Sequence, residues 1–157
     1  MSLTTRQLGT NGPQVTALGF GMMGLSAFYG KAESDEERFK ILDYIYDKGE
    51  RFWDTSDAYG DSEAMLGRWL ERNADKRQNI VLATKFGNLG NGKARTDAEY
   101  VHEACAKSLE RLHTDYIDLY YVHRVDVETP IELTIRAMAE LKRYTNPIFA
   151  LLHSLAV

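Results

Sequence analysis

Four residues of types that cooperate in proton transfer recur along the chain. Asp54 and Tyr59 stand in "FWDTSDAYG", Lys85 in "VLATKFG" and His123 in "DYIDLYYVHR". A phenol is a weak acid, with a pKa of about 10. An ammonium beside it favours the phenolate, and a carboxylate paired to the lysine holds that ammonium charged and in place. An imidazole next to the phenol orients a carbonyl oxygen or relays a proton. The set makes a tuned proton donor for an oxygen that is gaining negative charge. Each residue alone has a plainer reading. Asp54 suits a turn or helix cap, Lys85 a solvated charge, Tyr59 loop packing and His123 a satisfied half-buried histidine.

The combination gains weight from the elements that carry it. Short apolar runs alternate with segments of helical period. "RQLG" and "QVTAL" flank "TNGP", whose Asn11-Gly12 is a hairpin turn signal. "VTALGFGMMG" then reads as a strand ending in glycines. Ser34 with Glu37 forms a capping box ahead of Phe39, Leu42 and Ile45, and Gly49 stops that helix. "RFWDTS" is the second strand. A helix follows from about Ser62, with Leu66, Trp69 and Leu70 on one side. "NIVLATKFG" is apolar on both faces, as a buried parallel strand is.

Thr96 with Glu99 caps a third helix with the stripe Val101, Cys105, Leu109 and Leu112. "DYIDLYYVH" is the fourth strand. Thr129 then serves as N-cap, with Pro130 at the first position of a fourth helix carrying Ile135, Met138 and Leu141. The sum is an N-terminal β-hairpin plus a parallel (βα)4 unit, hence an α/β fold, in one domain over 1–157 with an irregular, divergent apolar tail over 145–157. Chemistry in such folds gathers at the carboxyl ends of the strands. Asp54, Lys85 and His123 each end a strand, and neighbouring strands lie only about 5 Å apart.

Composition bounds the rest. The 157 residues are 44% hydrophobic and 27% charged, with net charge −4. This fits a globular domain and disfavours a nucleic-acid partner. A single cysteine, Cys105, allows no disulfide within the chain, and no apolar run is long enough to span a membrane. With no secretory signal at the start, a cytoplasmic location is expected. The histidines show no metal-ligand spacing, so no metal is expected.

The quoted segments resemble the signature stretches of the aldo-keto reductases, in particular the fungal and bacterial subgroup of general NADP-dependent reductases. "LGFGMMGLS" and "PIELTIRAMAELK" are similar to the same family's first strand and fourth helix, and the likeness runs from Leu3 to Arg143. The resemblance implies a (β/α)8 barrel closed at its base by the hairpin. It implies hydride transfer from NADPH to a small-molecule aldehyde or ketone. It implies Tyr59 as proton donor, Asp54 and Lys85 as the pair that tunes it, and His123 placing the substrate carbonyl beside Tyr59. Gly21, Met22, Met23 and Asp54 become contacts for the cofactor, NADP(H), and the Glu63…Gly67 stretch is structural.

By this resemblance the chain is truncated after the fourth βα unit. The phosphate site of such barrels lies after strands 7 and 8. The resemblance therefore leaves two readings: a carbonyl reductase, or a catalytically inactive relic that binds a partner or self-associates through the open half barrel. Three other motifs carry less. Gly19, Gly21 and Gly24 satisfy G-x-G-x-x-G, but the loop "LSAFYGKAES" intervenes before the first helix cap, and Asp54 comes too late for the acidic residue such a motif needs about 20 residues on. Tyr44 and Lys48 form Y-x-x-x-K within a helix face. Trp53, Trp69 and Cys105 read as core.

Overall fold

The computed structural model describes residues 3–144 and 148–149. Strands β1 (Thr5–Gln7) and β2 (Gln14–Thr16) form the expected antiparallel hairpin. Its connection is longer than a two-residue turn, and the Leu8 amide donates to the Pro13 carbonyl at 3.0 Å across it. The apolar run after it is not one strand. Val15 and Thr16 belong to the hairpin, the chain bends, and β3 (Phe20–Gly21) starts the main sheet. The Thr16 hydroxyl donates to Glu50, whose carboxylate also accepts the Phe52 amide at 2.7 Å. One acidic side chain thus ties the hairpin to the base of the sheet.

A short turn of helix, α1 (Met23–Ser26), precedes α2 (Asp35–Asp47), which starts where expected. The Ser34 hydroxyl accepts the Glu37 amide at 3.4 Å, while the Glu37 carboxylate turns to Lys40. Strand β4 (Phe52–Asp54) leads to α3 (Ser62–Arg72) and a 3-10 segment over Ala74–Asn79. Strand β5 (Val81–Phe86) is followed by an unexpected hairpin, β6 (Asn88–Gly90) and β7 (Lys93–Ala94). Then come α4 (Ala98–Arg111), β8 (Leu119–Val122), α5 (Ile131–Tyr144) and β9 (Ile148–Phe149).

Strands β3-β4-β5-β8-β9 form one parallel sheet in that order. This is the expected (βα)4 unit, with one addition. Within the tail assigned from residue 145, the described residues 148–149 pair with Leu119 and Tyr120 as a fifth strand, so that part is not irregular. The rest of the tail lies outside the described residues.

Alternation along the strands sorts side chains to two faces. Trp53, Leu82, Phe86, Tyr120 and Val122 pack against the helices in the main core, with Met65, Leu66, Trp69, Val101 and Cys105. Phe52, Ala83, Leu119 and Tyr121 gather on the other face, the inner face of a barrel.

Three helix details differ from expectation. Asp97, not Thr96, caps α4, accepting the Tyr100 amide at 3.1 Å. Thr96 is buried and receives the Thr134 hydroxyl at its carbonyl, 2.7 Å away. Helix α5 begins one residue later than expected, and the Thr129 hydroxyl donates to Asp126 instead of capping it. Its buried stripe is Thr134, Ala137 and Met138, whereas Ile135 is exposed. Gly67 has a packing reason: a Cβ there would sit 2.1 Å from the Arg111 carbonyl oxygen, so α3 meets α4 by backbone approach. Glu63 sits in the same contact, buried, accepting from Thr84 at 2.6 Å and from Arg111 at 2.6 and 2.8 Å. The Glu63…Gly67 stretch is structural.

Candidate active site

Sheet register brings the four sequence-predicted residues together. Gly21 pairs with Asp54, Asp54 with Ala83, and Lys85 with Tyr121. Past the strand ends the loops continue the ladder. The amides of Thr55, Asp57 and His123 donate to the carbonyls of Ala83, Lys85 and Phe86 at 2.9, 3.1 and 2.7 Å. The backbone that carries the site is therefore part of the sheet rather than free loop.

Lys85 is the hub. Only 7% exposed, its Nζ donates to Asp54 Oδ2 at 2.7 Å and to the Thr55 carbonyl at 2.8 Å. The same ammonium lies 4.5 Å from the centroid of the Tyr59 ring and 5.4 Å from that of Tyr121. A cation over an aromatic face is attracted by the ring's quadrupole. Tyr59 meets His123 edge to face, with ring centroids 5.4 Å apart, and is flanked by Phe28 at 6.5 Å. Tyr59, His123 and Met23 line one cavity of about 710 Å³.

Two tyrosines therefore flank the lysine, and their hydroxyls differ. The Tyr121 hydroxyl donates a short hydrogen bond to Asp54 Oδ1. Burial, and then that bond and the Asp54 charge, push its phenol well above the ordinary range. It is committed to holding the carboxylate. The Tyr59 side chain instead faces the cavity. His123 accepts or donates at Nδ1 with the Ser56 hydroxyl, 2.9 Å away. Burial first, then the Lys85 and Arg124 charges, pull its imidazole down to about 4, with Asp54 opposing. The ring is neutral at ordinary pH.

The residues expected to touch a cofactor separate into two kinds. Gly21 is exposed at the rim, with no atom within 4 Å of where a Cβ would be, and Met23 lines the cavity. The Met22 side chain is fully buried in the main core, and only its amide, donating to the Asp54 carbonyl at 2.9 Å, adjoins the site. Tyr121, Ser56 and Asp57 were not foreseen. Strand alternation offered a signal for Tyr121, since it shares the inner face with Lys85. Nothing in "DTSDAYG" singles out Ser56 and Asp57. Cys105 is buried as expected, and burial, with Glu63, pushes its thiol up to about 11.

The aldo/keto reductase family profile matches residues 17–144. The chain belongs to the aldo/keto reductase family. It is 53% identical over 146 residues to aldo-keto reductase str7 of Strobilurus tenacellus, covering 90% of this chain and 42% of that protein. It is 43% identical over 145 residues to aldo-keto reductase yakc (NADP(+)) of Schizosaccharomyces pombe, covering 88% and 42%. A solved aldo-keto reductase from Bacillus halodurans, in its holo form, superposes with a TM-score of 0.81 at 34% identity, over 95% of this chain and 50% of that one. The fold is thus the first half of a (β/α)8 barrel of this reductase family. The chain spans about 42% of the length of these curated relatives. Among the described residues no helix is long and apolar enough to cross a membrane.

Proposed function

We propose that Tyr59, Lys85, Asp54 and His123 form the proton-donating part of a carbonyl-reducing site that works with NADP(H). One observation carries the reading: the Lys85 ammonium, fixed on Asp54 at 2.7 Å, lies 4.5 Å from the Tyr59 ring centroid, with the His123 ring on the same tyrosine. NADPH, when bound, supplies the hydride that converts an aldehyde or ketone to the alkoxide level. Tyr59 gives its proton to that oxygen, and the charge left on the phenol faces the Lys85 ammonium. Asp54 keeps the ammonium oriented, and Tyr121 keeps Asp54 oriented. His123 holds the carbonyl oxygen beside Tyr59.

The residues at the rim fit the nicotinamide end of the cofactor. Gly21 leaves open space next to Asp54, and Met23 faces the cavity. The NADP(+) in the name of the Schizosaccharomyces pombe relative supports NADP(+) as the cofactor. The second reading, a chain without turnover that binds a partner or a second copy, rests on the apolar cluster of Phe52, Ala83, Leu119 and Tyr121 on the inner face.

Titration with NADPH followed by turnover of a generic aldehyde separates the two. Saturable binding with turnover supports the reductase, and Tyr59→Phe lowers that turnover by about 100-fold or more while NADPH binding is kept. Undiminished turnover in Tyr59→Phe refutes the assignment of the donor. Absence of binding at millimolar cofactor supports the second reading.

A further inference from the structure

Among the described residues three groups hydrogen-bond to the Ser56 hydroxyl. A serine hydroxyl has one proton to give and two lone pairs to receive. The Ala58 amide donates to Ser56 Oγ at 3.2 Å, which uses one lone pair. Two partners remain, Asp57 Oδ1 at 3.2 Å and His123 Nδ1 at 2.9 Å. With one proton and one lone pair left, Ser56 must donate to one of them and accept from the other.

The two solutions differ at His123. An ionised Asp57 only accepts, so Ser56 donates to it and must accept from His123, which then carries its proton on Nδ1. Nε2 is left as a bare acceptor. A protonated Asp57 donates to Ser56, whose proton turns to Nδ1, and His123 then carries its own proton on Nε2. We infer that Ser56 and Asp57 set which ring nitrogen of His123 carries the proton, and so whether this histidine donates to or accepts from the oxygen at the reacting carbon. The inference deepens the reductase reading and rests on it for its consequence. A carbonyl oxygen needs the Nε2–H donor, whereas an alcohol needs the Nε2 acceptor.

The charges around both groups suit the exchange. Asp57 is pushed up to about 6 by burial and then by Glu63 of α3, with Ser56, Arg111 of α4 and the Ala58 amide opposing. Tyr100, Glu103 and Lys107 of α4 line the same cavity as Asp57. His123 faces Lys85 of β5, Arg124 beside it, Asp54 of β4 and the Tyr59 ring. Its own protonation lies near 4, so the ring stays neutral while Asp57 titrates. What changes is the tautomer, not the charge. Ser56 and Asp57 are positioning residues, since they act through His123.

The test is nitrogen-15 NMR of the His123 ring in the 157-residue chain, without cofactor, across about pH 5 to 8. The shifts of the two ring nitrogens tell a bare nitrogen from a protonated one. The expected result is one protonated nitrogen throughout, moving from Nε2 at low pH to Nδ1 at high pH, with a midpoint near 6. In Asp57→Ala, and independently in Ser56→Ala, that midpoint disappears. A single tautomer over the whole range overturns the inference, as does formation of imidazolium with that midpoint. An unchanged midpoint in Asp57→Ala overturns it too. The readout needs no turnover. A chain that exchanges tautomers yet reduces no aldehyde upholds the tautomer control and sinks the reductase reading, and turnover without the exchange does the reverse.

Discussion

The Lys85–Asp54 pair is unequally buried, and this asymmetry gives a quantitative prediction for stability. The Lys85 side chain is 9% exposed and that of Asp54 is 30% exposed. Asp54→Leu, a change of similar shape, strands the less solvated partner. Breaking a buried ion pair from one side costs about 3–5 kcal/mol. The Thr55 carbonyl still accepts from Lys85, but Tyr121, 8% exposed, also loses the acceptor of its hydroxyl. A total of about 4 kcal/mol follows, a large share of the 5–15 kcal/mol that stabilises a typical domain. Lys85→Met leaves the more solvated partner behind, still holding the Tyr121 hydroxyl, and costs about 1–2 kcal/mol. The double variant removes both charges, so its cost falls short of the sum of the single costs by about 3 kcal/mol. Urea unfolding of the four proteins at one pH measures all of this. Equal single costs that simply add would mean that the pair is solvated, and the account of Lys85 as a buried hub would be wrong.

Other consequences are narrower. Gly67→Ala forces a methyl against the Arg111 carbonyl at 2.1 Å, and overpacking of this kind costs about 1–3 kcal/mol. A thermal melt reads it as a drop of several degrees, and an unchanged melting temperature would show that α3 and α4 separate freely. Asp57 titrates near 6 in the folded chain, above its unfolded value of about 3.9, so stability falls as pH rises between the two and the cost is complete above them. Asp57→Asn therefore raises the urea midpoint at pH about 7.5 and barely changes it at pH about 4. The comparison with the parent chain is essential, because His123, held down near 4, adds the opposite slope over part of the same range. Glu63→Gln removes the second cause of the Asp57 shift and moves that titration to lower pH, read by the same NMR experiment.

Much of the site was legible because buried parallel strands are written as unbroken apolar runs, and a charged residue at the end of such a run stands out. Asp54, Lys85 and His123 were found in this way, and Tyr59 by its nearness to Asp54. What stayed hidden depends on pairing between distant segments. Two tyrosines adjoin in "LYYV", and the register that sets Tyr121 against Lys85 decides which one faces the site. In α5 Met138 and Leu141 face the core as expected, but Ile135 does not, and a threonine takes the buried place beside it. Thr134 is buried at no cost in hydrogen bonds, its hydroxyl donating to the Thr96 carbonyl, but a hydrophobic pattern does not register it. That same bond draws Thr96 into the core and passes the capping of α4 to Asp97. The Met22–Met23 pair divides similarly, one side chain to the core and one to the cavity, where the chain turns from β3 into α1.

The two faces of the sheet bear on how far this segment can hold its site unaided. Among the described residues the main core lies between the sheet and α2 to α5. Phe52, Ala83, Leu119 and Tyr121 gather, among the described residues, on the inner face. Lys85 and Asp54 stand on that inner face, yet they are fixed by each other, by Tyr121 and by a carbonyl of the loop after β4. The His123 amide extends the sheet ladder onto the Phe86 carbonyl, and the Tyr59 amide closes a turn on the Ser56 carbonyl. The acid–base geometry therefore draws its order from backbone pairing and the helix-side core, not from filling the barrel's interior. Geometry and turnover are separable on this argument. The ring-nitrogen exchange at His123 tests the first in the segment as it stands, whereas reduction of an aldehyde asks in addition for a held hydride donor, to which the rim at Gly21 offers one end.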